Sequence, residues 1–194
     1  MMSRSRQTRP HPGFRGLRSS MALLRSEVMP WSGVIYRFEA PMYAGANEVV
    51  SGRGSLMHGA RWNAPGSFAA VYGSLHPETP LKEVQGHAAR FGIPFSARLP
   101  RTLVAVQVML HEVLDLNDGD LRRRLRVSRR RMVEEDWWDR QQAGEEALTQ
   151  AIGRAAYAAG LEGLLVPCAV DLRAVNLVIF PDNLGPRSSL RVLP

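Results

Sequence analysis

Lysine is nearly absent from this chain of 194 residues, since Lys82 is the only lysine and the other basic residues are arginines. The formal net charge is +7, which favours anionic partners such as nucleic acid, phosphate-bearing metabolites or an acidic protein. Two blocks of arginine stand out. Residues 1–20 contain no acid, and residues 122–131 are followed at once by an acidic stretch. The excess of positive charge therefore belongs to two segments and not to the whole surface.

Cysteine and long apolar runs are also scarce. Cys168 is the single cysteine, so neither an intrachain disulfide nor a cysteine-based zinc cluster can form, which fits a reducing compartment. The histidines are scattered without the spacing of metal ligands, so no metal is expected. No apolar run approaches the roughly 20 residues that span a bilayer. The sequence therefore predicts a cytoplasmic protein with no membrane partner.

The N-terminal segment lacks the apolar core of a secretion signal, because its apolar run at residues 21–24 is too short. Residues 1–30 are rich in Pro, Gly, Ser and Arg without periodicity, and they are predicted to be a disordered basic extension. Two alternatives stay open at this point. The Arg and Ser content is also that of an organelle transit peptide, and a true start at Met21 or Met29 would leave part of the segment untranslated.

The remaining pattern mixes strands with helices and lacks a regular βαβ alternation, which predicts an α+β fold. Residues 41–67 form a long loop punctuated by glycines, of the kind that is usually functional or disordered. Residues 111–140 are charged and helical in parts. We assign residues 31–181 to one domain and residues 182–194 to a C-terminal tail. Strands are predicted at residues 33–39, 69–74, 101–109, 163–166 and 175–180, and helices at residues 79–91 and 145–159.

Four residues in the first half have side chains suited to binding or catalysis. Arg37 lies inside a strand, where a guanidinium needs an anionic partner. Arg61 lies beside glycines that let the backbone approach a ligand, and Glu83 lies in the first turn of a helix, whose dipole favours an ionised carboxylate. Simpler interpretations exist for three of them. Glu83 would be a solvated helix residue, Arg61 a surface arginine in a turn, and Tyr72 a core tyrosine.

Taken together, these residues and their spacing resemble the RES domain family. The matching pattern is a Tyr-Arg pair on the first strand, a Gly-x-Arg-Trp-Asn-x-Pro-Gly segment, a tyrosine on the second strand and a glutamate in the next helix. In this chain the pattern corresponds to Tyr36-Arg37, residues 59–66, Tyr72 and Glu83. The segments at residues 148–150, 160–167 and 176–180 are similar to the second half of that domain.

The resemblance implies an ADP-ribosyltransferase-like fold, with a central mixed or antiparallel sheet flanked by helices. It also implies an enzyme that consumes NAD as a substrate, as an NAD glycohydrolase, an NAD phosphorylase or an ADP-ribosyltransferase. The ADP-ribosyl group then passes to water, to inorganic phosphate or to an acceptor protein. In this family the enzyme is the toxin of a type II toxin–antitoxin system. Its Xre-type antitoxin has a helix-turn-helix domain, and DNA is contacted only through that antitoxin.

The resemblance also implies roles for five residues. Glu83 would stabilise the oxocarbenium-like state that forms when the nicotinamide–ribose bond breaks. Arg37 and Arg61 would bind the diphosphate, and Tyr72 would stack on the nicotinamide ring. Cys168 occupies the position of the family's serine. Because a thiol is a weaker hydrogen-bond donor than a hydroxyl, a phosphate or ribose contact at Cys168 is expected to be weakened.

Two other classes of protein stay open on the sequence alone. The arginines of residues 122–131 are compatible with a nucleic-acid-binding protein without catalysis, although the block lacks interleaved aromatic residues for base stacking. A cysteine hydrolase would combine Cys168 with a histidine, but no pattern in the sequence places a histidine beside this cysteine.

Overall fold

Strand β3 (Thr102–Asp115) is the longest element and organises the sheet. Its alternate residues Val104, Val106 and Val108 are buried, so one face of the strand is turned to the core. The structure is a computed structural model that describes residues 8–194. Within that range the strands of the sheet are β1 (Met29–Glu39), β2 (Val71–Ser74), β3, β4 (Gly163–Pro167), β5 (Val175–Ile179) and β6 (Ser189–Val192).

The strand pairings bring the sheet back onto itself. β1 pairs antiparallel with β3 along almost its full length, from Glu39 opposite Thr102 to Met29 opposite Val113. Antiparallel pairings then continue from β1 to β2, from β2 to β5 and from β5 to β4. β4 returns to the far end of β3 in parallel orientation, and β6 pairs with the middle of β3. The sheet is therefore mixed, which is one of the two arrangements that the family resemblance implies.

Helices flank this sheet. They are α1 (Phe14–Leu23), α2 (Ala46–Ser51), α3 (Arg53–His58), α4 (Thr79–Arg90), α5 (Gly119–Arg124), α6 (Arg129–Glu134), α7 (Trp137–Gln142) and α8 (Leu148–Ala158). The small residues Ala151 and Ala155 are fully buried on α8, which lets this helix pack closely against its neighbours. Alternate residues of β4 face two apolar clusters: Leu164 joins the cluster of α8 and α1, whereas Leu165 joins the cluster of β1 and β3.

The N-terminal segment contradicts the prediction of disorder up to residue 30. α1 and the 3₁₀ turn after it bury Leu17, Met21 and Leu24 in the same cluster as α8. These three residues are spaced at i, i+4 and i+7, so they lie on one face of a helix, and packing removes that face from water. β1 then begins at Met29. Residues 1–7 of the predicted extension lie outside the described residues.

Smaller differences concern three other segments. The predicted C-terminal tail contains β6, which pairs with β3 from Ser189 to Val192. The long loop at residues 41–67 contains the short helices α2 and α3, and β3 continues to Asp115 instead of ending at residue 109. No helix within residues 8–194 is long and apolar enough to cross a membrane.

Candidate active site

Glu83 lies in the second turn of α4, and two side chains from the sheet hold its carboxylate. The Nδ2 of Asn176 donates a hydrogen bond to Glu83 Oε1 at 2.7 Å, and the Sγ of Cys168 donates to the same oxygen at 3.6 Å. Asn176 lies on β5, opposite Val166 of β4, and Cys168 directly follows β4. The pairing of β4 with β5 therefore places both donors beside α4. Glu83 is half-buried and is not a solvated surface residue.

Burial raises the pKa of Glu83, because removal from water disfavours the charged carboxylate. The hydrogen bonds from Asn176 and Cys168 act in the opposite direction, and the charges of Arg61 and Arg37 also lower this pKa. Burial is the largest of these effects. The expectation of an easily ionised carboxylate rested on the helix dipole, and burial acts against that expectation.

Cys168 is fully buried beside this carboxylate. Burial raises the pKa of the thiol, and the negative charge of Glu83 raises it further. The sulfur therefore stays protonated and donates to Glu83. The side chain that accepts this hydrogen bond is a carboxylate and not a histidine base. A raised pKa is the opposite of what a nucleophilic cysteine requires, so the structure speaks against a cysteine hydrolase.

A cleft of about 340 Å³ brings together three of the predicted site residues, Arg37, Tyr72 and Glu83. It opens between β1, β2 and α4. The Nη1 of Arg37 donates to the backbone oxygen of Tyr72 at 2.8 Å, and its Nε donates to Glu39 Oε1 at 2.8 Å. Arg37 thus has a carboxylate partner on its own strand, and its guanidinium is fixed at the wall of the cleft.

Tyr72 lines the cleft, its side chain packs against the apolar cluster of α8 and α1, and its hydroxyl group points into a hydrogen-bonded interior. The hydroxyl donates to Asn63 Oδ1 at 2.7 Å and accepts from the backbone N–H of Trp62 at 3.2 Å. Burial raises the pKa of Tyr72, so the phenol stays neutral. The hydroxyl therefore fixes the ring against the loop that contains Trp62 and Asn63.

Arg61 and Cys168 do not line this cleft. The Nη1 of Arg61 donates to the backbone oxygens of Met132 at 3.0 Å and Glu135 at 3.3 Å, which ties the loop to α6. Burial lowers the pKa of Arg61. Its charge still reaches Glu83, whose pKa it lowers. In this structure Arg61 therefore acts on the carboxylate at a distance, and the diphosphate contact expected of it stays a prediction.

The loop of residues 59–66 is held by buried amide side chains. Asn63 is fully buried, and its Nδ2 donates to the backbone oxygens of Ser55 at 2.8 Å and Phe68 at 3.0 Å. Gln150 of α8 donates from Nε2 to the backbone oxygen of Ala60 at 3.1 Å. Gly59 begins the loop with φ of 72°, a left-handed conformation that favours glycine. These contacts give the motif a structural role in positioning Tyr72.

Sequence reasoning missed three residues around Glu83. Asn176 interrupts an apolar strand, and a polar residue between Val175 and Leu177 was a usable signal. Arg98 and Arg101 line the cleft from the segment after α4, which has no pattern that singles it out.

With this geometry established, the similarity to known proteins decides the family. The RES domain family model matches residues 34–191. The chain belongs to the RES domain family. The RES prediction is thereby confirmed, and the matched range extends into β6, beyond the predicted domain limit at residue 181.

Relatives of this RES domain protein are named NAD(+) phosphorylase MbcT. MbcT of Mycobacterium tuberculosis and MbcT of Mycobacterium bovis are each 29% identical to the chain over 174 residues, which covers 84% of the chain and 84% of each relative. The crystal structure of the M. tuberculosis MbcT–MbcA toxin–antitoxin complex superposes with a TM-score of 0.68 at 23% identity, covering 92% of this chain and 91% of the other. The RES domain protein described here therefore shares the mixed α+β fold of that structure.

Proposed function

We propose that this RES domain protein is an NAD-consuming enzyme that cleaves the nicotinamide–ribose bond, and that it is the toxin of a type II toxin–antitoxin system. The observation that carries the proposal is the half-buried Glu83 in a cleft with Arg37 and Tyr72. The same proposal includes an ADP-ribosyltransferase-like fold. The activity in the name of the MbcT relatives supports this reaction class.

Cleavage of NAD at this bond generates positive charge on the ribose. The nicotinamide ring leaves with the bonding electron pair, and it leaves as a neutral molecule, so no general acid is needed. Ionised Glu83 stabilises the oxocarbenium-like state, and its half-buried position strengthens that effect. Asn176 fixes the carboxylate, and its own Oδ1 is buried without a hydrogen-bond partner among residues 8–194.

Arg37 and Tyr72 serve the binding of the dinucleotide. A guanidinium fixed at the cleft wall suits a phosphate group, because its planar donors match phosphate oxygens. The ring of Tyr72 offers an aromatic face to nicotinamide.

Water, inorganic phosphate and a protein side chain are the candidate acceptors of the ADP-ribosyl group, and the name of the relatives favours phosphate. An antitoxin partner, by the family resemblance one with an Xre-type helix-turn-helix domain, is supported by the toxin–antitoxin complex among the similar structures.

Nicotinamide release from NAD by the purified chain, with and without phosphate, tests this proposal beside Glu83→Gln. We expect the variant to lose activity by about 100-fold or more, the usual cost of removing a group that stabilises transition-state charge. In cells, expression of the wild-type chain should lower NAD and stop growth, and Glu83→Gln should do neither. Phosphate-dependent release would identify phosphorolysis.

Glu78→Gln is the matched control, since Glu78 is an exposed residue preceding the same helix. It should retain full activity. The raised pKa of Glu83 means that this carboxyl contributes stability at low pH, which is lost as the pH rises through its folded-state pKa. The unfolding midpoint of Glu83→Gln at pH 7 should therefore equal or exceed that of the wild type. Equal nicotinamide release by both variants and wild type would refute the proposal.

The nucleic-acid-binding alternative has no specific observation in its favour. Arginines of the basic block make contacts within the protein: Arg124 pairs with Glu27, and Arg130 pairs with Glu134. Arg122 and Arg129 donate to backbone oxygens. Much of this block is therefore occupied in holding α5 and α6, which reduces its availability to a phosphate backbone.

A further inference from the structure

Arg98 and Arg101 form a second basic group in the cleft of Glu83. Arg98 ends a 3₁₀ turn (Phe95–Arg98), and Arg101 directly precedes β3. Both line the cleft together with Glu83. Neither arginine has a carboxylate within 4.0 Å among residues 8–194, whereas Arg37 across the cleft pairs with Glu39. The cleft thus contains two guanidinium groups whose charge no acidic side chain balances directly.

Arg101 is fixed by the backbone around it. Its Nη1 donates to the oxygen of Phe38 at 3.1 Å, and its Nε donates to the oxygen of Arg98 at 3.0 Å. These bonds link the segment after α4 to β1. The guanidinium of Arg101 is therefore held in place before any ligand arrives, and its charge stays unpaired.

Arg98 has unused hydrogen-bond donors. Its Nη2 donates to His87 Nδ1 at the long distance of 3.4 Å, and its Nε is buried without a hydrogen-bond partner among the described residues. Burial lowers the pKa of His87, and the charges of Arg98 and Arg101 lower it further. The imidazole is therefore neutral near pH 7 and adds no charge that would repel an anion.

Two guanidinium groups in a concave site form a receptor for a phosphate group. A half-buried polar group without a partner costs free energy, and an anion with several acceptor oxygens removes that cost. Arginine is suited to phosphate because its donors form paired, charge-assisted hydrogen bonds. A carboxylate ligand would present fewer oxygens and less charge than a phosphate dianion.

We propose that Arg98 and Arg101 form a phosphate subsite in the cleft of Glu83, which takes either free inorganic phosphate or a phosphate group of the dinucleotide. The role of this subsite in NAD cleavage rests on the proposed function. Its test is a binding measurement and does not require catalysis. With free phosphate, an oxygen of HPO₄²⁻ forms a bond to the ribose carbon as the carbon–nitrogen bond breaks. The electron pair goes to nicotinamide, and the products are neutral nicotinamide and ADP-ribose 1″-phosphate.

Titration calorimetry of the full chain with inorganic phosphate, and separately with ADP-ribose, tests the subsite. Arg98→Gln should weaken binding of one of the two ligands by about 10-fold or more, since it removes charge-assisted hydrogen bonds to the phosphate. Arg187→Gln is the control, because it removes the same charge from an exposed arginine that does not line the cleft. It should leave both affinities unchanged.

Each outcome decides the proposal. If Arg98→Gln weakens the binding of phosphate alone, the subsite takes free phosphate, the acceptor. If it weakens the binding of ADP-ribose, the subsite takes a phosphate group of the dinucleotide. Equal affinities in Arg98→Gln and Arg187→Gln, or no binding of either ligand by the wild type, would overturn the subsite. Arg98→Lys retains the positive charge and should lose less affinity than Arg98→Gln does. It replaces Arg98→Gln in the test if that variant does not fold. A chain that binds phosphate but releases no nicotinamide would refute the proposed function and leave the subsite intact.

Discussion

At the scale of single residues, the site combines a half-buried carboxylate with hydrogen-bond donors that favour its charged form. Asn176 donates to Glu83 at 2.7 Å and lowers its pKa against the larger effect of burial. Asn176→Ala removes a hydrogen bond that favours the ionised form, so the pKa of Glu83 rises further. If ionised Glu83 is required, the acidic limb of the kcat/KM profile for NAD should move to higher pH, with activity near pH 8 less affected than activity near pH 5.

The control for this prediction is Asn47→Ala, which removes an exposed asparagine of α2. Its pH profile should match that of the wild type. A merely structural role of Asn176 would lower activity by the same factor at all pH values. An unshifted acidic limb in Asn176→Ala would therefore contradict the role assigned to this hydrogen bond.

At the scale of elements, the close contact between α8 and the loop of residues 59–66 holds the loop that positions Tyr72. Gly153 lies on α8 where a Cβ atom would collide with the backbone carbonyl of Trp62. Gly153→Ala gains up to about 1 kcal/mol of helix propensity. The collision should outweigh that gain, because overpacking a core costs about 1–3 kcal/mol or more. We expect a lower unfolding midpoint in urea and reduced NAD cleavage.

Gly16→Ala on α1 gives the opposite prediction from the same substitution. A Cβ atom there meets no heavy atom within 4 Å, and the residue is exposed. Only the propensity gain applies, so the variant should be as stable as the wild type or slightly more stable. If Gly153→Ala, like Gly16→Ala, proves as stable as the wild type or more stable, helix propensity and not the contact with Trp62 governs Gly153.

Elements with strong periodicity were predictable from the sequence, and contacts between distant segments were not. α4 and β4 fall within one residue of their predicted limits, and motif spacing singled out Glu83 as a candidate site residue. Its partner Asn176 lies 93 residues further along the chain, and only the pairing of β4 with β5 brings it to α4. α1 was missed because its apolar stripe is short and its helical state depends on packing against α8.

At the scale of the whole molecule, the N-terminal segment completes the core although it lies outside the residues matched by the family. The backbone of Arg9 exchanges hydrogen bonds with Gly144 and Glu146, at 2.8 and 2.9 Å. The carboxylate of Glu146 accepts from the N–H of His11 at 2.8 Å and from Arg154 Nε at 2.6 Å. The segment is therefore tied to α8 by polar contacts at its start and by apolar packing along α1.

A chain that begins at Met29 should lose most of its stability. It lacks Leu17, Met21 and Leu24, whose burial contributes roughly 6 kcal/mol in total at about 2 kcal/mol each. That sum is comparable with the whole stability of a typical domain, about 5–15 kcal/mol. Thermal unfolding followed by circular dichroism should show a much lower midpoint or no cooperative transition. A chain that begins at Thr8 keeps every described contact and should unfold like the full chain. An unchanged midpoint in the Met29 chain would mean that the core of α8 is complete without α1.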